Sequence, residues 1–296
     1  MRHCERFLRC NLSAWKGDCF VAKNAPRNEI RIKKGNLMNY GELRSNMIPD
    51  LLKKVVVLPI GSLEQHGHHL PMLTDSLINS EIIRRVQPML DGEVIFLPLL
   101  WVGASDHHLG LPGPISISND TYTHVLMDMV ESLIHHGFRR IVLFNSHGGN
   151  GGPANNAIFQ LQMKHRDLPD LWLVLVSWFQ IAGEQIAQIA SLQQKHVSHA
   201  CELETSMILR IRPELVKMEA ARGANIPFKS DFWSADSSGP SRVSVARTFE
   251  QTSLTGALGH PELATAEKGE ALFAVAAHEF TAFIREFITW SEYPPH

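Results

Sequence analysis

Val55-Val56-Val57-Leu58-Pro59-Ile60-Gly61-Ser62-Leu63-Glu64-Gln65-His66-Gly67-His68-His69, running on to Asp75, joins a β-branched apolar run to a carboxylate, an imidazole and a second carboxylate. A short run of Val, Ile and Leu reads as a strand covered on both faces, as in a parallel sheet. In open α/β sheets the binding groups lie beyond the carboxyl ends of the strands. Glu64, His66 and Asp75 are therefore candidate metal ligands, and a hydrolytic metal site is the first hypothesis.

Similar apolar runs recur at 94–97, 141–144 and 173–176. Between them lie helical patterns, the clearest pairing Val125, Met129 and Leu133 with Leu126, Val130 and Ile134 and stopping at Gly137. This β-then-α alternation, with right-handed crossovers, predicts an α/β fold: a three-layer αβα sandwich around a largely parallel sheet. A further strand is read at 103–106, just before His107 and His108. Residues 223–262, rich in Gly, Pro and Ser, read as a long irregular excursion that lines a pocket or a subunit contact. Residues 264–290 close the chain as an apolar-faced helix.

With 296 residues and 44% hydrophobic content, the chain is read as one domain over residues 38–296, starting near Met38 or Met47. Residues 1–37 read as a disordered or non-native extension. The first 36 residues carry nine Lys/Arg against three Asp/Glu, a basic, acid-poor balance also typical of a transit peptide. Cys4, Cys10 and Cys19 fall there in no Cys-x-x-Cys pairing, which speaks against a zinc site. A net charge of -2 provides no basic field for nucleic acid or an anionic membrane. No apolar run reaches the ~18 residues of a membrane span. The expectation is a soluble, cytoplasmic protein acting on a small molecule.

Asn145-Ser146-His147-Gly148-Gly149-Asn150 follows the 141–144 strand directly, so His147 belongs at the same sheet edge as Glu64 and His66. The glycine pair lets the backbone pass close to a bound group, ahead of a helix read from Pro153. A third cluster, Ser198-His199-Ala200-Cys201-Glu202-Leu203-Glu204-Thr205-Ser206, opens a helix that runs to Ile211 and stops before Pro213. Acids in a first helical turn also have a plain explanation in the helix dipole. Together the clusters offer imidazoles and carboxylates suited to Zn, Mn or Fe, without a thiolate set. Two ions would need a bridging carboxylate, and Asp75 is the candidate.

Most of the 16 histidines need other roles, because the adjacent pairs His68-His69, His107-His108 and His135-His136 cannot all point into one site. One of His107 and His108 is expected to border the pocket. The rival reading of a nucleotide-binding protein lacks any Gly-x-x-x-x-Gly-Lys-Ser/Thr run. A non-catalytic metal-binding scaffold is the alternative from another class.

Residues 59–67, Thr74-Asp75, 145–150 and 199–206, in that order and spacing, resemble the creatininase family of metallohydrolases over roughly residues 43–287. The resemblance implies a three-layer αβα fold, a divalent metal pair, hydrolysis of a cyclic amide, formamide or related non-peptide C–N bond, and a homo-oligomer, commonly a hexamer. Carried over, Glu64 and His147 bind one metal, His66 the other and Asp75 both, while His199 moves a proton to the leaving nitrogen. True creatininases have Tyr-Glu after the motif histidine, where this chain has Gly148 and Gly149. Either Glu202 substitutes for the missing carboxylate or the second site is weak; on helical spacing Glu204 is the alternative, as ligand or as a buried group behind the ligands. Trp178 matches one tryptophan that surrounds the creatinine ring, but Lys195 replaces another, so creatinine itself is disfavoured. Gly-Gly relatives also include peptide-trimming enzymes and a hydrolase of a small cyclic ketone.

Overall fold

Side chains two residues apart in a strand enter the same layer, and here both layers are apolar. The computed structural model describes residues 38–90, 92–234 and 241–292. Its strands are β1 (Met38–Asn39), β2 (Val55–Ile60), β3 (Val94–Phe96), β4 (Arg140–Asn145) and β5 (Trp172–Ser177). They form one sheet in the order β1-β3-β2-β4-β5, parallel at every pairing. The helices are α1 (Thr74–Val86), α2 (Asn119–His135), α3 (Gly151–Lys164), the short α4 (Trp178–Ile181) and α5 (Gly183–Ala187), α6 (Glu202–Ile211) and α7 (Ala266–Phe287).

Val55 and Val57 of β2 enter one core with Val142 and Phe144 of β4, closed by Ile82 of α1, Met207 of α6 and Phe280 of α7. Val56, Leu58 and Ile60 enter a second core with Ile141 and Leu143, closed by Leu126 of α2 and Leu161 of α3. The fold is thus the expected αβα sandwich. Pro59 is tolerated inside β2 because pairing with β3 has ended at Val57, so a missing N–H breaks no ladder there.

Several helix ends follow from local chemistry. α2 is capped by Ser118, whose hydroxyl accepts the Thr121 N–H, and ends before Gly137 at φ +103°. α7 begins two residues later than the pattern suggests, because Thr265 caps it through the Lys268 N–H. α3 starts at Gly151, and Pro153 is accommodated in its first turn, where N–H groups lack intrahelical partners.

The predicted strand at 103–106 does not form. Gly103 makes one bridge to Ser116, and Asp106–His108 turn as a 3₁₀ segment. The backbone of this segment is used otherwise: the Ala104 N–H bonds Asn150 Oδ1 and its carbonyl faces His147. The 223–262 excursion is irregular where described, with only a 3₁₀ turn at Phe249–Gln251 and another beginning at Pro261. The expected extension at 1–37 lies outside the described residues. Among the described residues no helix is long and apolar enough to cross a membrane.

Asn79 ties the sheet to the helix that bears Asp75. Its side-chain N–H groups reach the carbonyls of Ile60 at 3.2 Å and Phe144 at 2.9 Å, at the carboxyl ends of β2 and β4. α1 is thereby fixed at the edge where the chemistry collects.

Candidate metal centre

Glu64, His66, Asp75 and His147 come from the loop after β2, the first turn of α1 and the turn after β4, and all four are buried. Gly61 permits this approach, since a Cβ there would lie 2.4 Å from Ser76 Oγ on α1. Glu64 Oε2 is 3.1 Å from His147 Nδ1, and Asp75 Oδ2 is 3.3 Å from the same nitrogen. Asp75 Oδ1 lies 3.3 Å from His66 Nε2. Asp75 therefore stands between the two histidines. Two hydroxyls orient the acids: Ser62 donates to Asp75 Oδ2 and Ser105 to Glu64 Oε2, each at 2.6 Å.

The donor set fits divalent metals. His147 gives its Nε2–H to the Ala104 carbonyl at 3.1 Å, and His66 gives its Nδ1–H to the Glu64 carbonyl at 3.3 Å. Each neutral ring then aims a lone pair at carboxylate oxygens, the arrangement in which metal-binding histidines are held. Glu64 Oε1 and His66 Nε2 are buried without a hydrogen-bond partner. Ligand atoms of Glu64, His66 and Asp75 lie within 4.8 Å of one another, as do those of His66, His199 and Glu204.

His66, Asp75, His147 and Glu204 compete for protons. Burial opposes charge on His66, but Asp75, Glu204 and Glu64 outweigh it and raise its pKa to about 9. His147 is likewise raised against its burial by Glu64 and Asp75. Asp75 is depressed despite burial, through His66 and His147. Burial, with repulsion from Asp75 and Glu64, pushes Glu204 up to about 8. Divalent ions compete with protons for such donors, so metal affinity here is expected to rise with pH.

Glu202, the expected fifth ligand, points elsewhere. Its carboxylate pairs with Lys268 Nζ at 2.7 Å and accepts the N–H groups of Gln193 at 3.0 Å and Gln194 at 2.7 Å. Residues two apart on a helix face different sides, and the side of α6 turned to the site carries Glu204. Glu204 Oε2 is 4.0 Å from His66 Nε2 and accepts the Ala200 N–H at 2.6 Å.

His199 lies beside this set with Nδ1 3.7 Å from Glu64 Oε1. Burial and the neighbouring His66 hold its pKa well below the usual range. Both His107 and His108 line the cleft, where one was expected. His108 Nε2 is 3.2 Å from Glu64 Oε1, and burial with the surrounding imidazoles keeps the ring neutral. His69 turns away to Thr205, and His68 is exposed.

The cleft has a volume of about 260 Å³, and its apolar wall is formed by Phe179, Val197, Phe249 and Leu258. Phe249 stacks on His108 at a centroid distance of 4.0 Å. Trp178, matched to a ring-binding tryptophan, is instead packed in the first core, and Lys195 Nζ bonds the Ile189 carbonyl. Sequence reasoning missed Ser105 and Phe249, and left His107 and His108 undivided as a pair. The Ser-Asp-His-His run was the only local signal, and nothing near Phe249 announced it.

Gly149 has no room for a side chain. A Cβ there would come 2.3 Å from the Ala104 carbonyl oxygen and 2.4 Å from His147 Nε2. Gly149→Ala is therefore expected to break the His147–Ala104 bond and weaken metal binding about 10–100-fold, measured by competition with a chelating dye.

Known proteins resemble this chain in sequence and fold. The creatininase family model, described as creatinine amidohydrolase, matches residues 41–284. The mycofactocin precursor peptide peptidase of Mycobacterium tuberculosis is 29% identical over 266 residues, covering 86% of this chain and 92% of that protein. The creatinine amidohydrolase of Pseudomonas putida is 28% identical over 258 residues, covering 81% and 90%. A solved mutant creatininase described as Zn-Zn type superposes with a TM-score of 0.67 at 25% identity, covering 85% of this chain and 98% of that one.

Proposed function

The chain belongs to the creatininase family, and from that premise we propose that it is a hydrolase that uses two divalent ions to cleave a cyclic amide, formamide or related non-peptide C–N bond. The observation that carries this reading is the buried set Glu64, His66, Asp75 and His147, with Glu64 Oε1 and His66 Nε2 left unsatisfied. Glu64, Asp75 and His147 would hold one ion; His66, Asp75 and Glu204 the other. Zn, Mn or Fe suits these donors, and a Zn-Zn relative supports zinc.

When bound, such a pair polarises a carbonyl and makes a water nucleophilic at neutral pH. The chain's own residues do the rest. His199, neutral and facing Glu64 through Nδ1, takes the water's proton there and delivers it to the leaving nitrogen. Phe179, Val197, Phe249 and Leu258 line the cleft with apolar surface against which a substrate's carbon skeleton would pack.

Peptide trimming is the second reading, because a relative at 29% identity is a peptide peptidase. Among the described residues the cleft wall contains neither Lys nor Arg to receive a peptide carboxylate, which supports a small uncharged substrate instead. Exposed Phe228, Phe232 and Leu254 support the expected homo-oligomer.

The test is a panel of lactams, hydantoins, formamides and short peptides offered to protein reconstituted with Zn or Mn. Turnover confined to peptides would replace the proposal with the peptidase reading. Full metal loading with no hydrolysis would leave a scaffold. His199→Gln is expected to keep its metal content and lose about 100-fold or more in kcat. Unchanged kcat would remove His199 from the reaction.

A further inference from the structure

The geometry points to Gln65 as a positioning residue that holds two imidazoles of the cleft in complementary roles, His108 as a hydrogen-bond donor and His199 as an acceptor. Its use in catalysis rests on the hydrolase reading above.

Gln65 is buried between the ligands Glu64 and His66. Its Oε1 accepts the Gly67 N–H at 2.9 Å, which settles which end of the amide is oxygen. The amide nitrogen then lies 2.8 Å from His108 Nδ1. An amide nitrogen only donates, so His108 Nδ1 carries the lone pair and the single proton of the neutral ring sits on Nε2. That Nε2 is the atom 3.2 Å from Glu64 Oε1.

The backbone carbonyl of Gln65 settles the second ring. It lies 2.6 Å from His199 Nε2, and a carbonyl only accepts, so His199 carries its proton on Nε2 and its lone pair on Nδ1. The amide nitrogen is also 3.1 Å from that Nε2. The carbonyl decides, because an unprotonated Nε2 would set two lone pairs against each other at 2.6 Å. His199 Nδ1 faces the same Glu64 oxygen at 3.7 Å.

One residue thus places an N–H and a lone pair on either side of one carboxylate oxygen. The amide is also braced from outside. Gly256, in the left-handed region at φ +86°, lies so close that a Cβ would come 1.9 Å from Gln65 Oε1. Ligand atoms of Glu64, His108 and His199 lie within 4.8 Å of one another, but a protonated Nε2 cannot bind a metal. His108 is left with an N–H to offer a substrate carbonyl oxygen.

The experiment is 15N–1H NMR of the histidine rings in zinc-loaded, 15N-histidine-labelled protein, assigned with His108→Gln and His199→Gln. Both rings are expected as neutral Nε2–H tautomers, with His108 free of metal. Gln65→Met is expected to release His108 into mixed tautomers and lower kcat about 10–100-fold, with KM and zinc content little changed. Gly256→Ala, which replaces no group bonded to the rings, should do the same more weakly. A wild-type His108 bearing its proton on Nδ1, or bound to zinc, overturns the proposal, as does an unaltered His108 tautomer in Gln65→Met. The wild-type spectrum decides even if both variants fail to fold. Expected tautomers in a protein that hydrolyses nothing in the panel would sink the hydrolase reading and leave the assignment standing.

Discussion

Asp75→Asn is expected to empty both metal positions and lower turnover roughly a thousandfold or more, a loss of about 4 kcal/mol in transition-state stabilisation. The two oxygens of Asp75 approach different histidines, His66 and His147, each at 3.3 Å. Among the described residues no other carboxylate stands between both rings. Asparagine keeps the volume and one acceptor for the Ser62 hydroxyl, so the fold should persist while the charge shared by two cations is lost. Elemental mass spectrometry, kcat at saturating metal and a melting curve make the test. Two metals retained per subunit would mean that Asp75 does not bridge.

Glu204→Gln and Glu202→Gln are expected to fail in opposite ways. The first should reduce metal content from two ions towards one and remove most activity, because Glu204 is the acid of α6 turned towards His66. The second should keep both ions but cost about 3 kcal/mol of stability, since it breaks a buried charge pair with Lys268. It also weakens the anchor of Gln193 and Gln194, which begin the segment leading to His199. Metal loss in Glu202→Gln with none in Glu204→Gln would restore the expectation drawn from sequence.

The difference between these two acids shows where sequence reading stopped. β2 and β4 were legible because strands buried on both faces must be apolar throughout, and the turns that follow them carry the histidine and carboxylate motifs within a few residues. Glu202 and Glu204 share one helical turn, and either could face the site until the rotation of α6 is set. That rotation depends on α7, whose Gly269 packs against the Ser206 carbonyl so closely that a Cβ would come within 2.0 Å of its oxygen. His108 was half-legible as one of a pair. Its neighbour Ser105 was hidden by the strand wrongly read at 103–106. Phe249 reaches the histidines from an irregular excursion in which no periodicity exists to be read.

The centre draws on the loop after β2, the start of α1, the turn after β4 and the first turn of α6, so residues as distant as 64 and 204 meet only once the sheet is complete. Bound ions would therefore act as staples across long stretches of chain, joining contacts that need the whole sheet in place. Chelation should leave the refolding rate nearly unchanged and speed unfolding, so that the metal governs how long the native state lasts and not how fast it is reached.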